Sequence, residues 1–334
     1  MELALPFIRL PLSFDFERLG EEIASLDESA WMPHPSGMEG NSAVALISRE
    51  GRDNDHFGGR MKATSHLANC EYHQQVMASF GEVLARSRLM KLDAGSKVSI
   101  HVDFNYHWYS RVRIHIPVIT NPDVIFYCDN EQVHMKAGEC WIFDNWRRHR
   151  VLNESKHDRI HLVIDLAGSS RFWRMAREMQ EMDTSDNNPA FTSQLRHLEY
   201  EPGKTVNIET EKYNISPVMV PGEVDYLVAS VISEIDANPD NDAQLAKSYR
   251  VMLQDFASDW RETWHRHGIQ AEGIPHYQQL IERATRSLHP NRRALVTASN
   301  DIGINPIIMQ RILRPALATE MQEQFVQGVD GKAG

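Results

Sequence analysis

Short runs of apolar and β-branched residues follow one another in the segment 88–166, and turn residues separate them. The runs span 88–92, 97–102, 112–119, 124–128, 132–135, 140–143, 149–152 and 160–166. Gly, Pro, Asn and Asp fill the intervals, as in Asp93-Ala94-Gly95 and Asn121-Pro122-Asp123. Many short strands at this spacing are typical of a β-sandwich or barrel, so we expect an all-β core here. Two helical patterns precede it, at 16–26 and 72–86.

The hydrophobic period changes to that of helices beyond Pro217. The segments 245–264, 277–287 and 306–325 show this period, whereas 181–216 is polar and rich in turn residues. The clearest apolar stripe of an amphipathic helix consists of Val224, Leu227, Val228, Val231, Ile232 and Ile235. We therefore predict a first domain over 1–180, a linker over 181–216 and a helical C-terminal domain over 217–334 that carries no catalytic motif.

Composition and charge limit the classes of partner. With 334 residues, of which 42% are hydrophobic, the chain is long enough for about two folded domains. Its 46 acidic and 35 basic residues give a net charge of −11, which disfavours nucleic acid and anionic membranes as partners. Three cysteines without a C-x-x-C pair disfavour a disulfide framework. The chain has no long apolar run and no N-terminal secretory pattern, so we expect a cytoplasmic protein.

The segment Ser99-Ile100-His101-Val102-Asp103 carries the first candidates for chemistry. On a strand, His101 and Asp103 point to the same side, because side chains alternate with period two. A third group would come from another strand, and His149 is the natural candidate. Two imidazoles and one carboxylate form the facial triad of non-haem Fe(II) oxygenases, which leaves positions for a chelating co-substrate and for O₂.

Cationic side chains accompany this triad on neighbouring predicted strands. Arg159 stands immediately before the run 160–166, where a guanidinium can hold a carboxylate through two parallel hydrogen bonds. The run 112–119 and the residue before it carry a basic residue at every second position, namely Arg111, Arg113 and His115. On a strand these three side chains share one face. A basic row that faces inward needs an anion, and a dicarboxylate co-substrate would supply it.

An ordered set of motifs runs through residues 86–166. It consists of Arg88-Leu89-Met90-Lys91-Leu92, His101-Val102-Asp103, Arg111-Val112-Arg113-Ile114-His115, Thr120-Asn121-Pro122, Met135-Lys136-Ala137-Gly138-Glu139, His149-Arg150-Val151 and Asp158-Arg159-Ile160-His161. In this order the motifs resemble the aspartyl/asparaginyl β-hydroxylase family of Fe(II)/2-oxoglutarate dioxygenases, which includes bacterial cis-proline hydroxylases. The resemblance covers about a quarter of the chain strongly, and the C-terminal third has no counterpart in it.

The resemblance implies a double-stranded β-helix core of the jelly-roll, cupin-like type. Together with the helical patterns, the expected fold class is mainly β plus α, with N-terminal helices and a C-terminal helical domain around that core. The resemblance also implies that His101, Asp103 and His149 ligate Fe(II), and that Arg159 pairs with the distal carboxylate of 2-oxoglutarate. Arg113 is expected to contact the co-substrate or the substrate carboxylate. His115 either assists or is a hydrogen-bonded core histidine.

The function that follows is hydroxylation of a C–H bond in an amino acid, with consumption of O₂ and release of succinate and CO₂. The substrate is either a free, proline-like amino acid or an Asp or Asn residue in a peptide. The alternative is a cupin-like protein that binds a small carboxylate without turnover, which the intact triad disfavours. A homodimer through the C-terminal helices is left open, and neither nucleic acid nor membrane is expected as a partner.

Overall fold

The structure is a computed structural model that describes residues 2–34 and 37–318. The described chain forms two compact units. Unit 1 contains the chain up to Asp103 and the segment Ser110–Lys212, and unit 2 contains Phe104–Tyr109 and the chain from Tyr213 onward. The chain therefore leaves unit 1 directly after Asp103 and returns to it at Ser110.

Unit 1 contains the larger of two β-sheets. Its strands in chain order are β1 (Phe7–Phe14), β2 (Met32–Pro33), β3 (Asn41–Arg49), β4 (Met61–Ala63), β5 (Leu84–Leu92), β7 (Val112–Ile119), β10 (Glu139–Phe143), β12 (Arg159–Leu166) and β13 (Arg196–Leu198). They lie side by side in the order β13-β1-β10-β7-β12-β5-β3-β2, and β4 pairs with β3. Every pairing is antiparallel except that of β1 with β13.

The smaller sheet contains β6 (Lys97–His101), β8 (Val124–Cys128), β9 (Glu131–Val133) and β11 (His149–Asn153), in the order β6-β11-β8-β9. Its inner side chains pack against those of the larger sheet. Phe126 of β8, for example, contacts the rings of Phe143 on β10 and His161 on β12. Two antiparallel sheets that face each other in this way are a jelly roll, which confirms the predicted fold class.

The larger sheet has an apolar face and a polar face. On β7, Ile114 and Ile116 point to a buried apolar cluster, and Arg113 and His115 alternate with them. Strand β12 follows the same rule, with Leu162 in the apolar cluster. The cluster also receives side chains from the helices of unit 1, which are α1 (Phe16–Ala24), α2 (Ser65–Ala68), α3 (Glu71–Ser79), α5 (Ser170–Gln180) and α6 (Pro189–Thr192). The polar face of the larger sheet faces the smaller sheet.

Unit 2 is helical. Its helices are α4 (Tyr106–Tyr109), α7 (Pro221–Ala237), α8 (Ala243–His267), α9 (Ile274–Arg286), α10 (Ile304–Ile307) and α11 (Arg314–Ala316), and a π-helical segment (Ile308–Leu313) joins the last two. The buried Trp260 of α8 donates its indole N–H to the carbonyl of Met219 at 2.9 Å. Among the residues that the structure describes, no helix has both the length and the apolarity needed to cross a membrane.

Several predicted element bounds differ from those of the structure. The helix predicted over 72–86 ends at Ser79, and Leu84 already begins β5, because Gly81 adopts a positive φ of 59° that stops the helix. The helix predicted over 306–325 is divided into short segments and ends at Ala316, since Leu317 is extended and bridges to Val218. The part of that prediction from 319 onward lies outside the described residues.

The N-terminal strands β1 and β3 were not among the predicted elements. Strand β3 is buried on both faces and lacks an alternating pattern. Strand β1 contains Pro11, and its pairing with β10 shifts register between Leu10 and Ser13. The segment predicted as a linker, 181–216, contributes α6 and β13 to unit 1.

Replacing Leu162 by Ala tests the central position of β12. The Leu162 side chain is fully buried in the apolar cluster, so we expect the free energy of unfolding to fall by about 2–5 kcal/mol. Urea unfolding followed by tryptophan fluorescence measures the loss. The matched control is Leu5→Ala at a side chain that is 39% exposed, where we expect less than about 1 kcal/mol. Equal losses for the two variants would contradict the assigned packing.

Candidate metal centre and its basic surroundings

The candidate metal ligands His101, Asp103 and His149 come together because β6 and β11 pair as neighbours in the smaller sheet. His101 ends β6, His149 begins β11, and the two residues lie opposite each other in the antiparallel register. Asp103 follows two residues after His101, and its backbone N–H donates to the carbonyl of Asn145 at 3.0 Å. That hydrogen bond fixes the chain where it leaves the strand.

The ligand atoms of the three side chains lie within 4.8 Å of one another. Nε2 of His101 is 4.0 Å from Oδ1 of Asp103, and Nε2 of His149 is 3.9 Å from Oδ2 of the same carboxylate. The two imidazole rings have their centroids 4.2 Å apart. The residues expected from the sequence are therefore grouped at a spacing that one metal ion can bridge.

Backbone carbonyls set the tautomers of both histidines. Nδ1 of His101 donates to the carbonyl of Ser99 at 2.8 Å, and Nδ1 of His149 donates to the carbonyl of Arg147 at the same distance. A carbonyl oxygen can only accept, so the proton is on Nδ1 and the Nε2 lone pair of each ring is available. Burial lowers the pKa of His149 to about 4, which keeps this ring neutral near pH 7. The donor set fits Fe(II).

A second group with metal-ligating side chains lies elsewhere in unit 1, but its carboxylate already accepts three hydrogen bonds from α3. Glu22, Cys70 and His73 are all buried. The Glu22 carboxylate accepts the backbone N–H groups of Tyr72 and His73 at 2.7 and 3.1 Å, and Nδ1–H of His73 at 2.7 Å. Burial raises the pKa of the Cys70 thiol to about 12, so it stays protonated. This group caps the first turn of α3 and was not recognised in the sequence.

Arg159 lies deep between the two sheets and is 4% exposed. Its guanidinium stands over the ring of Phe126 at 4.9 Å, and within the described residues no carboxylate pairs with it. Its Nε is buried without a hydrogen-bond partner. Burial and the neighbouring Arg113 lower the pKa of Arg159 to about 9. A buried cation in this state favours binding of an anion.

His115 and His161 lie beside Arg159 on the inner face of the larger sheet. Their Nδ1 atoms are 3.4 Å apart, and the Nε2 atom of each ring is buried without a partner in the described chain. Burial, with Arg159 next, holds the pKa of both rings well below the ordinary value. Both are therefore neutral, and they offer hydrogen bonds without adding positive charge. The His161 side chain is fully buried.

Arg113 interacts electrostatically with both Arg159 and His149. Its Nε donates to Asp165 at 3.0 Å. Burial acts to lower the pKa of Arg113, but Asp165 and Asp103 outweigh it and raise that pKa. Arg111, by contrast, is held by Glu211 through two hydrogen bonds of 2.8 and 3.0 Å. The choice of Arg113 over Arg111 as a candidate binding residue stays a prediction.

Two further arginines on β5 extend this basic surface. Arg86 and Arg88 both donate to Oδ1 of Asp55, at 2.7 and 2.6 Å. Asp55 lies in the loop between β3 and β4, so sequence reasoning had no means of placing it there. The period-two spacing of Arg86 and Arg88 in a buried strand is a signal that could have identified them. His34 adjoins this group, and burial followed by Arg88 lowers its pKa to about 4.

Known proteins that are similar to this chain include hydroxylases. Residues 22–168 match the family model described as Aspartyl/Asparaginyl beta-hydroxylase. L-proline cis-3-hydroxylase 1 of Streptomyces sp is 25% identical over 176 residues, which are 48% of this chain and 60% of that protein. The match therefore spans less than two thirds of the curated relative.

Solved structures of related type have low overall similarity. A Pseudomonas putida prolyl-4-hydroxylase is 12% identical over 48% of this chain and 91% of its own, with a TM-score of 0.34. A Burkholderia pseudomallei oxidoreductase of the 2OG-Fe(II) oxygenase family is 14% identical over 46% of this chain and 78% of its own, with a TM-score of 0.33. The sequence matches, and not the solved structures, carry the comparison: over residues 22–168 this chain is similar to the aspartyl/asparaginyl β-hydroxylase family.

Proposed function

We propose that this protein is an Fe(II)/2-oxoglutarate-dependent dioxygenase that hydroxylates a C–H bond of an amino acid, free or within a peptide. The observation that carries the proposal is the convergence of His101, Asp103 and His149, with both histidines oriented by backbone carbonyls. The buried, carboxylate-free Arg159 in the same barrel supports it. The family-model match and the partial match to a proline hydroxylase support this reaction class.

Each group of residues has a separate role in this proposal. His101, Asp103 and His149 would hold the iron, which supplies the activation of O₂ when it is bound together with 2-oxoglutarate. Arg159 would bind a carboxylate of 2-oxoglutarate, because an anion removes the cost of its buried charge. His115 and His161 would provide hydrogen bonds to that carboxylate from neutral rings. Arg113 would contact the co-substrate or a carboxylate of the substrate.

A carboxylate-binding protein without turnover is the second candidate. It would need the arginines but not a complete set of metal ligands. The tautomers of His101 and His149, which leave both Nε2 atoms available beside Asp103, favour the enzyme. A cytoplasmic location and a homodimer through the C-terminal helices stay predictions.

Replacing His149 by Ala tests the metal centre. Under anaerobic conditions, Fe(II) and 2-oxoglutarate should give the wild type a weak charge-transfer absorption band in the visible, and the variant should lose it because one of three protein ligands is missing. His157→Ala is the matched control, since His157 is exposed and lies outside the triad. Absence of the band in the wild type would argue for the binding protein. A band kept in the His149 variant would remove this residue from the ligand set.

Replacing Arg159 by Gln tests the co-substrate anchor. We expect the dissociation constant of 2-oxoglutarate to rise at least roughly 30-fold, because a carboxylate in the barrel would lose its buried cationic partner. Titration of the anaerobic Fe(II) protein with 2-oxoglutarate, followed by absorption, gives the constant. Arg150→Gln on the neighbouring β11 is the control, because Arg150 is exposed and stacks over Tyr127. Unchanged affinity in the Arg159 variant would assign the anchor to another residue.

A further inference from the structure

A cluster of five charged side chains lies on the inner face of the larger sheet and in the loop beside it. It contains the three arginines 86, 88 and 113 and the two carboxylates of Asp55 and Asp165, linked by ion pairs of 2.6 to 3.8 Å. The arginines are almost fully buried, at 2% and 4% side-chain exposure for the two on β5 and 12% for the one on β7. Three buried cations face two anions, so the cluster has an excess positive charge.

Asp55 uses one half of its carboxylate to hold the two β5 arginines. Its Oδ1 accepts from Nη1 of Arg86 and Nη1 of Arg88, and its backbone carbonyl accepts from Arg86 at 3.1 Å. Within the described residues, Oδ2 accepts no hydrogen bond. The Asp55 side chain is 29% exposed, so a ligand can reach this carboxylate.

Arg88 provides hydrogen-bond donors next to the Asp55 carboxylate. A guanidinium has five N–H donors. Among the described residues, Arg88 makes one side-chain hydrogen bond, the one to Asp55. Its side chain is nevertheless only 4% exposed, so its remaining donors have little contact with bulk water. An unsatisfied donor array beside an open carboxylate oxygen is a built site for a ligand that carries both charges.

The cluster adjoins the candidate metal centre. Asp103 is among the charges that act on Arg86 and on Arg113, and Arg113 is among those that act on His149. Phe57, from the same loop as Asp55, stacks on the guanidinium of Arg86 at 4.0 Å and holds the loop against the strand.

Arg88 on β5 also lies in register with Val163 on β12, which lies in register with His115 on β7. The ring centroid of Phe143 is 5.3 Å from that of His115 and 4.8 Å from that of His149. A ligand bound between Asp55 and Arg88 would therefore lie on the same inner face as the candidate metal centre.

We propose that Oδ2 of Asp55 accepts the ammonium group of the substrate while the neighbouring arginines take its carboxylate, so that the substrate is a free α-amino acid. This inference rests on the proposed function and decides between its two classes of substrate. A residue within a peptide has an uncharged amide in place of each of these groups, so it satisfies neither half of the site. Asp55 is then the residue that determines specificity for a free amino group.

The test compares free amino acids with their N-acetyl forms. The anaerobic protein, loaded with Fe(II) and 2-oxoglutarate, is titrated in a calorimeter with each compound. The compounds are L-proline, L-leucine, L-aspartate and the N-acetyl derivative of each. We expect at least one free amino acid to bind roughly 10- to 100-fold more tightly than its N-acetyl form, as for loss of a charge-assisted hydrogen bond. This comparison needs no variant and does not depend on turnover.

The variant Asp55→Asn then assigns the effect to one side chain. Asparagine keeps an oxygen for the two arginines but replaces the open acceptor by an N–H₂ donor. Affinity for the free amino acid should fall at least roughly tenfold, and affinity for the N-acetyl form should stay the same. Asp53→Asn, the same change on an exposed carboxylate of the same loop that contacts His66, should alter neither.

The outcomes separate this inference from the proposed function. Equal binding of free and N-acetyl forms, binding of none of the amino acids, or an unchanged preference in the Asp55 variant would overturn the inference. In each case the charge-transfer band of the wild type with Fe(II) and 2-oxoglutarate would show that the proposed function still stands. Absence of that band in the wild type would instead overturn both.

Discussion

The register of the antiparallel strands is the constraint on which the site depends. Side chains alternate along β5, β7 and β12, so that the apolar set faces the helices of unit 1 and the basic set faces the smaller sheet. A slip of one residue would exchange the two sets. Arginines would then enter the apolar cluster, which is costly for unpaired charge. Burial of the apolar face therefore stabilises the fold and also directs the arginines and histidines to the interior of the barrel.

The sequence was informative where the chemistry is local and less so where distant segments meet. Alternation alone placed His101 and Asp103 on one side of a strand, and the strand bounds of β7 and β8 match the structure. The partnership of His149 with His101 depends on long-range strand pairing. The strand pattern made His149 a candidate, and the family resemblance implied its role as a ligand. Continuous burial hid β3, and Pro11 hid β1.

The polar partners were harder to predict than the cations. An arginine in an apolar run is visible in the sequence, but the carboxylate that meets it is set by the path of a loop. Asp55 reaches Arg88 across 33 positions of the chain, and Glu211 reaches Arg111 across 100. Periodicity within a strand contains no information about such contacts. The cap that Glu22 of α1 forms on α3 was missed for the same reason. Glu22 and His73, which it contacts, are 51 positions apart in the chain.

The carbonyls that orient His101 and His149 belong to Ser99 and Arg147, each two residues before the histidine it holds. Every amino acid has a main-chain carbonyl, so the hydrogen bonds that orient the two imidazoles do not depend on the side chains at these two positions. Evolution can therefore vary positions 99 and 147 without disturbing ring orientation. Side-chain changes at these two positions can alter the charge near the metal centre, whereas the main-chain carbonyls keep the orientation of both imidazoles.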